Sequence, residues 1–118
     1  MNPSGLRRGG VWTADLNPRR GTEPGKVRPV VIVQTDALNP HHSSTLICPV
    51  TTKVGRPENL LRVRLRGGQG GVSTESDVML DQLRAVDNAR FLRRIGQVPA
   101  EKMEELTDKL LTLLDLTP

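Results

Sequence analysis

The sequence predicts a mainly β domain that ends in one α-helix and is arranged as a small, partly open barrel. Short alternating or apolar segments recur between loops rich in Gly, Pro and Asn, a pattern typical of small all-β units. Near the C-terminus the apolar period changes to that of a helix. With 118 residues, 36% apolar and 25% charged, the chain suits a single folded domain, 1–118, with a modest core.

Four strands are predicted in the first half of the chain. Residues 10–15 alternate, and residues 29–35 form a continuous apolar run, which predicts a central strand buried on both faces. A third strand is expected at 45–51. Residues 61–66 alternate strictly, so one face is apolar and the other is a ladder of arginines, namely Arg62, Arg64 and Arg66.

The second half is predicted to add shorter strands and the helix. A glycine-rich stretch at 67–71 predicts a flexible hairpin connection. Strands are then expected at 78–83, 85–86 and 93–98. From about 99 to 115 the apolar residues recur at helical spacing, and Pro99 suits the first helical position. The apolar face of this helix consists of Met103, Leu106, Leu110 and Leu113.

Positive charge is concentrated in the first part of the chain. Residues 1–68 contain 11 Lys/Arg and 4 Asp/Glu, a balance of +7, whereas residues 69–118 contain 6 and 9, a balance of −3. Thirteen of the 17 cations are arginines, which suit bidentate phosphate contacts. This distribution predicts a polyanion site built mostly from the first part, although a high-GC genome would explain the arginine content equally well.

The loop at 17–26 is the strongest candidate for a functional site, because binding residues concentrate on loops held by a rigid scaffold. Arg28 follows it, directly before Pro29 and the apolar run, so its backbone is expected to be fixed at the entrance of a strand. An arginine held there, with a carboxylate five residues earlier, suits a phosphate-containing substrate. The charged residues of the loop itself are Arg19, Arg20, Glu23 and Lys26.

The sequence lacks the usual catalytic and metal-binding patterns. The 67–71 stretch has no following Lys-Ser/Thr, so it is not a phosphate-binding loop. His41 and His42 are adjacent in a turn, where they cannot both face one site. Cys48 is the only cysteine, so no intrachain disulfide and no Cys-based metal site is available. We therefore expect a chemistry that uses no metal, no cofactor and no histidine.

Arg28, Glu23 and the pair Thr51 and Thr52 remain as candidates for chemistry. Because the threonines end the third strand, one hydroxyl is expected at the same rim as Arg28. Arginine can neutralise a phosphorane-like dianion, threonine can bind a phosphate oxygen, and glutamate can accept a proton. These groups meet the needs of intramolecular RNA cleavage, in which the ribose 2′-OH attacks its own phosphate. Spacing alone does not require a catalytic role. A threonine that favours β-structure and a solvated arginine before a proline explain the same residues more simply.

Three blocks of sequence together resemble the MazF/PemK toxin family. They are Gly10-Val-Trp with Asp15-Leu-Asn-Pro-x-x-Gly-Thr-Glu-x-Gly-x-Val-Arg-Pro-Val-Val-Ile-Val, then Pro49-Val-Thr-Thr, then Val78-Met-Leu-Asp-Gln-Leu-Arg. The resemblance extends from about residue 8 to the C-terminal helix. It implies an SH3-like barrel and a homodimer. It also implies a ribosome-independent endoribonuclease that cuts single-stranded RNA at short sequences and leaves 2′,3′-cyclic phosphate and 5′-hydroxyl ends.

The resemblance also implies roles for individual residues. Arg28 matches the family's catalytic arginine, and Thr51 matches its catalytic threonine, with Thr52 as the alternative if the register differs by one. Glu23 matches an acidic position that is catalytic or contacts substrate in some members. RNA binding is expected at Arg19, Arg20, Lys26, Thr52, Asp81, Gln82 and Arg84; for the Asp-Gln pair, hydrogen bonds within a turn are an equally simple explanation.

Two positions in the loop depart from the family pattern, which often has Gln and a small residue where this chain has Pro24 and Lys26. These differences bear on the sequence at which RNA is cut. The chain contains only one Trp, one Phe and no Tyr. Trp12 is expected in the core, so base recognition would depend on amides and stacked arginines.

A partner follows from the same resemblance, namely an acidic, MazE-like antitoxin whose disordered segment covers the basic groove. The arginine ladder could receive RNA or that segment, although a solvated strand face is simpler.

Two other functions fit the fold: a toxin that binds and poisons DNA gyrase without cutting RNA, and a non-catalytic RNA-binding barrel. No apolar run approaches a membrane span and no signal core begins the chain, so a cytoplasmic protein is expected.

Overall fold

The computed structural model describes residues 5–23 and 25–116; Pro24 and the two ends of the predicted domain lie outside the described residues. Seven strands and one α-helix follow each other within this part of the chain. The strands are β1 (Gly10–Asp15), β2 (Val27–Ile32), β3 (Ser44–Thr51), β4 (Arg62–Leu65), β5 (Ser76–Met79), β6 (Arg84–Asp87) and β7 (Phe91–Gln97), and the helix is α1 (Ala100–Leu113). The predicted mainly β class with a C-terminal helix is therefore confirmed.

The strands form one antiparallel sheet in the order β4-β5-β3-β2-β1-β7, and β6 pairs with the first half of β3. Because β4 and β7 are not paired with each other, the sheet curls without closing, as the prediction of a partly open barrel requires. The central position predicted for the apolar run is correct, since β2 pairs with both β1 and β3. None of the helices in the described ranges is long and apolar enough to cross a membrane.

Alternation along the central strands divides the apolar side chains between two cores. We call the first the helix-side core, because Leu106 and Leu110 of α1 pack into it. Its strand residues include Val11, Val31, Cys48, Val50, Val63 and Val78. The second, the tryptophan-side core, consists of Leu6, Trp12, Ala14, Leu16, Val30, Ile32, Ile47, Val86 and Phe91. Trp12 is thus a core residue as predicted. Its ring lies edge-on to that of Phe91, with 5.9 Å between the two ring centroids.

Several element boundaries differ from the predicted ones. The strand expected at 78–83 is wrong beyond Met79, because the chain turns through a short 3-10 segment at Leu80–Gln82 before β6. Strand β2 begins two residues earlier than expected, since Val27 still pairs with Asp15 of β1. Helix α1 begins at Ala100, so Pro99 is the residue before the helix and not its first residue.

The glycine-rich connection between β4 and β5 is packed against the sheet and is not a free linker. Gly70 is buried, and Gly71 adopts φ +81°. A Cβ built on Gly71 would lie 2.0 Å from the Ile95 carbonyl oxygen, and one on Gly96 would lie 2.5 Å from the backbone of Gly70. The connection therefore touches β7 through main-chain atoms, at the point where the two ends of the open sheet approach each other.

Candidate active site

An open pocket of about 720 Å³ lies where the loop before β2 faces the end of β3. We call the described residues of 17–26 its loop wall. We call residues 51–55 its strand wall, of which Thr51, Thr52 and Lys53 line the pocket and residues 54–55 continue the chain beside it. Of the described residues that line the pocket, five carry positive charge and one, Glu23, carries a carboxylate. This balance fits a polyanionic ligand. Six residues singled out from the sequence line it together, namely Arg19, Glu23, Lys26, Arg28, Thr51 and Thr52.

The antiparallel register explains why Arg28 and Thr51 share the pocket. Strands β2 and β3 pair Val30 with Pro49, and continuing this register by two residues places Arg28 opposite Thr51. Both side chains then continue the tryptophan-side face beyond its last apolar residues, because alternate residues of a strand share a face. The predicted meeting of an arginine and a threonine at one rim is what the pairing produces.

Arg28 is partly buried and held by its Nε, which donates a 3.1 Å hydrogen bond to the carbonyl oxygen of Gly25. Among the described residues its terminal Nη groups have no hydrogen-bond partner, so they are available to a ligand in the pocket. Burial, and then the nearby charge of Arg19, lower the pKa of the Arg28 guanidinium below its ordinary value. The negative charge of a bound phosphate would offset this lowering of the pKa.

Gly25 is needed where the loop doubles back beside Arg28. A Cβ built on Gly25 would lie 2.6 Å from the Cβ of Arg19 and 3.3 Å from its Cα. A side chain at this position would therefore displace the backbone whose carbonyl oxygen holds Arg28. The Gly-x-x-Arg spacing in the sequence thus has a steric basis in this structure.

Thr51 presents a hydroxyl whose direction is partly fixed. The backbone N–H of Lys53 donates a 3.1 Å hydrogen bond to Thr51 Oγ1, a local turn typical of Ser and Thr. A hydroxyl has one proton to donate, and no acceptor for it is found among the described residues. The proton of Thr51 is consequently free to donate to a phosphate oxygen.

The ends of the loop wall are tied together at Asn17. Its Oδ1 accepts a 2.7 Å hydrogen bond from the backbone N–H of Lys26, and the N–H of Leu16 donates to the carbonyl oxygen of Lys26 at 3.0 Å. Lys26 is in the left-handed region, with φ +56°, which this clamp helps to maintain. Arg90, in the turn before β7, also donates hydrogen bonds to the carbonyl oxygens of Asp15 and Asn17.

Four residues predicted to bind RNA do not line this pocket. Arg20 is exposed on the loop, and Asp81 and Gln82 lie in the 3-10 segment after β5. Arg84 begins β6, and its Nη1 is buried with no hydrogen-bond partner among the described residues. Their roles in RNA binding stay predictions.

Several residues that line the pocket were missed by the sequence reasoning, among them Asn17, Lys53 and Arg62. Asn17 and Lys53 lie in polar loops, where nothing in the sequence separates them from solvated neighbours. Arg62 was assigned to an exposed ladder, yet it lines the pocket and, with Arg64, binds the buried carboxylate of Asp77. A carboxylate inside an apolar strand was the available signal for that pair.

The histidines and the cysteine take no part in the pocket. His41 and His42 are exposed in the turn before β3, as expected. Burial, and then the charge of Asp81, raise the pKa of the Cys48 thiol to about 12. Within residues 5–23 and 25–116, no group of three or more His, Cys, Asp and Glu side chains could hold a metal ion.

Comparison with known proteins shows related chains. A family model described as PemK-like, MazF-like toxin of type II toxin–antitoxin system matches residues 7–114. A curated relative, Endoribonuclease MazF of Staphylococcus saprophyticus, is 29% identical over 105 residues, which are 89% of this chain and 88% of the relative. A solved MazF structure from Deinococcus radiodurans is 28% identical with a TM-score of 0.77 and covers 98% of both chains. A MazE–MazF structure from the same organism is 26% identical with a TM-score of 0.76, covering 95% of this chain and 97% of the other.

Proposed function

The chain belongs to the family of PemK-like, MazF-like toxins of type II toxin–antitoxin systems, and from this premise we propose that it is an endoribonuclease that cleaves single-stranded RNA with Arg28 and Thr51. The relative described above whose name states an activity is an endoribonuclease. That name favours RNA cleavage over gyrase binding and over RNA binding without cleavage.

One observation carries the proposal beyond membership of the family. The free Nη groups of Arg28 and the free hydroxyl proton of Thr51 belong to the same cation-rich pocket. Two fixed donors aimed into one pocket suit the negative charge that develops on a phosphate during displacement.

The reaction needs no nucleophile from the protein. The ribose 2′-oxygen bonds to the adjacent phosphorus, the bond from phosphorus to the 5′-oxygen breaks, and a 2′,3′-cyclic phosphate and a 5′-hydroxyl result. Glu23 accepts the proton of the 2′-OH, and Arg28 donates a proton to the leaving 5′-oxygen. Arg28 and the Thr51 hydroxyl stabilise the charge on the non-bridging oxygens.

The remaining polar residues bind the RNA chain on either side of this centre. Arg19, Arg20 and Lys26 attract and hold the phosphates that precede or follow the cut. Thr52 binds a neighbouring phosphate, and Asp81, Gln82 and Arg84 contact bases or phosphates farther along the strand.

We further propose that the protein acts as a homodimer in the cytoplasm and is inhibited by an acidic antitoxin. The solved relatives include a MazE–MazF structure. The cation-rich pocket offers an acidic segment the same charges that it offers RNA, so bound antitoxin would compete with substrate.

The experiment is cleavage of a single-stranded RNA pool in excess EDTA by the wild type, Arg28→Ala and Arg56→Ala. We expect the wild type to cleave and Arg28→Ala to lose at least about 10²-fold in rate, as when one charge-stabilising donor is removed. Arg56 is an exposed cation outside the pocket, so Arg56→Ala should remain close to the wild type. Circular dichroism checks that the variants are folded.

Two results would overturn the proposal: no cleavage by the wild type across a randomised pool, or full activity of Arg28→Ala. Binding to DNA gyrase with the RNA left whole would favour the gyrase poison. Binding to RNA without cleavage would favour the non-catalytic barrel. Mapping the cut ends of the same pool would give the recognition sequence.

A further inference from the structure

Asp77 is a fully buried carboxylate in the strand next to Thr51. On β5 it pairs with Thr51 of β3 on one side and with Arg64 of β4 on the other. Cross-strand partners project from the same face of a sheet, so Arg64, Asp77 and Thr51 form one polar row. The neighbouring row, Val63, Val78 and Val50, points into the helix-side core.

Both oxygens of Asp77 have partners. Oδ1 accepts a 2.6 Å hydrogen bond from Arg64 Nε, while Oδ2 accepts from the backbone N–H of Gly55 at 2.7 Å and from Arg62 Nη1 at 3.3 Å. The exposed fraction of the Asp77 side chain is 0%. A buried charge that lost one of these donors would be costly to the fold, so the carboxylate holds its partners in a defined geometry.

These partners also hold the strand wall of the pocket. Arg64 Nη2 donates to the carbonyl oxygen of Gly55 at 2.5 Å, and Arg62 Nη1 donates to that of Lys53 at 3.3 Å. Lys53 is the residue whose N–H fixes the Thr51 hydroxyl. A continuous set of hydrogen bonds therefore runs from Asp77 through Arg62 to Lys53 and Thr51.

We propose that Asp77 is a positioning residue for RNA cleavage, which acts through Arg62, Gly55 and Lys53 to aim the hydroxyl of Thr51 into the pocket. This inference rests on the proposed function. Asp77 does not line the pocket and transfers no proton; its contribution is the orientation of a donor. Loss of that orientation should lower the rate of the chemical step more than the affinity for RNA.

The first test uses a matched pair of substitutions at Gly55. Gly55→Pro removes the N–H that donates to Asp77, whereas Gly55→Ala keeps it and adds a Cβ no closer than 3.7 Å to its neighbours. We expect kcat to fall about tenfold in Gly55→Pro with KM changed less than about twofold, and Gly55→Ala to stay near the wild type. Equal rates in the two variants, high or low, would overturn the proposal.

The second test is a double-mutant cycle between Asp77→Asn and Thr51→Val. The Asn amide would turn its NH2 group toward a donor, either Arg64 or Gly55 N–H with Arg62. The strand wall would lose one of its anchors while the shape of the side chain is kept. We expect Asp77→Asn to slow cleavage about tenfold in the wild-type background and to have little further effect once Thr51 is Val. An equal slowing in both backgrounds would contradict a route through Thr51. If Asp77→Asn does not fold, the Gly55 pair carries the test.

A readout that needs no RNA separates this proposal from the proposed function. In amide NMR spectra of Asp77→Asn, the N–H signals of both Gly55 and Lys53 should move. Movement of Gly55 alone would show that the network stops before Thr51 and would overturn the inference. A wild type that cleaves no RNA would overturn the proposed function, whereas an active wild type with unaffected Asp77→Asn and Gly55→Pro variants would overturn only the positioning role.

Discussion

The loop wall and the strand wall of the pocket carry similar polar residues but are held in different ways. Hydrogen bonds to backbone groups secure the loop wall near its two ends, and the side chains of Arg19, Arg20 and Lys26 have no hydrogen bond to other described residues. The strand wall is fixed along its length by a buried carboxylate and two arginines.

This difference suggests a division of work between the walls. Free exposed cations suit the capture of a flexible polyanion, because they can adjust to phosphates in many positions. A hydroxyl that must meet a developing charge needs a fixed direction. Arg28 stands between the walls: its backbone belongs to β2, and its Nε is held by Gly25 of the loop. It can therefore combine the charge of one wall with the fixed geometry of the other.

Of the two walls, the strand wall should give the larger effect, in the pair Thr51→Val and Thr52→Val. Removing the Thr51 hydroxyl takes away the donor that Lys53 orients, and kcat should fall by about 10²-fold. Thr52 lines the pocket without such a partner, and its substitution should raise KM by about threefold. Single-turnover cleavage of one RNA at several concentrations measures both. The reverse order of effects would show that Thr52 is the catalytic threonine.

A smaller loss is expected where the loop wall supports Arg28. Gly25→Ala would push its new Cβ against Arg19 and shift the carbonyl oxygen that holds Arg28, so kcat should fall by about tenfold. Gly21 is the matched control, because a Cβ there meets nothing within 4 Å, although φ +56° makes the substitution mildly strained. Cleavage rates of the two variants are compared directly. Equal activity would mean that Arg28 does not depend on the loop.

The cations of the loop wall should affect binding without affecting chemistry. In the double variant Arg19→Gln/Lys26→Gln, KM should rise several-fold and kcat should stay near that of the wild type. The slope of log KM against log salt should decrease by about 0.7 for each lost phosphate contact with single-stranded RNA. Arg56→Gln serves as a control of equal charge type outside the pocket. An unchanged salt slope would place RNA phosphates elsewhere.

The prediction with the least effect on cleavage concerns the stability of the fold and involves Cys48, which lies in β3 and packs in the helix-side core. Its folded pKa is about 12, against an ordinary value of 9.0, so above pH 9 the unfolded chain loses a proton that the folded chain keeps. Stability should therefore fall as pH rises from 9 to 12, by at most about 1.4 kcal/mol per pH unit from this group. Denaturant melts of the wild type and Cys48→Ala measure it. A slope that Cys48→Ala leaves unchanged would assign the loss to other groups.

The seven strands along the chain and most of their boundaries, to within about two residues, could be predicted from the sequence, because alternation and turn residues are local signals. The bounds of β1 are the predicted ones. The predicted start of β2 and the predicted end of β3 were accurate enough to place Arg28 and Thr51 at the same rim. The role of Arg62 and Arg64 was not predicted. The sequence suggested a strip that binds RNA or a solvated face, whereas both arginines bind Asp77 in the structure. That contact depends on the register between β4 and β5, which alternation alone does not specify.

The apolar run that contains Met79 illustrates a second limit. Val78, Met79 and Leu80 form a continuous apolar run, which predicts a longer strand, yet the backbone turns at Leu80–Gln82. Burial alone is satisfied by either conformation, because Leu80 reaches the helix-side core from the turn. The choice is made by the tertiary packing and not by local preference.

The glycine connection that touches β7 has a consequence for variation of this chain. At Gly71 and Gly96 the main chain of one sheet end rests on that of the other, and no room exists for an extra carbon. At Gly70 the backbone adopts φ +63°, and a Cβ would lie 3.1 Å from Val11 Cγ2. In a complete substitution scan, these three positions should reject nearly every residue, although they carry no functional group and do not line the pocket. Positions that tolerate no substitution would then fall in two unrelated places. One is the pocket, and the other is the contact between the glycine-rich connection and β7, which only residues without side chains can form.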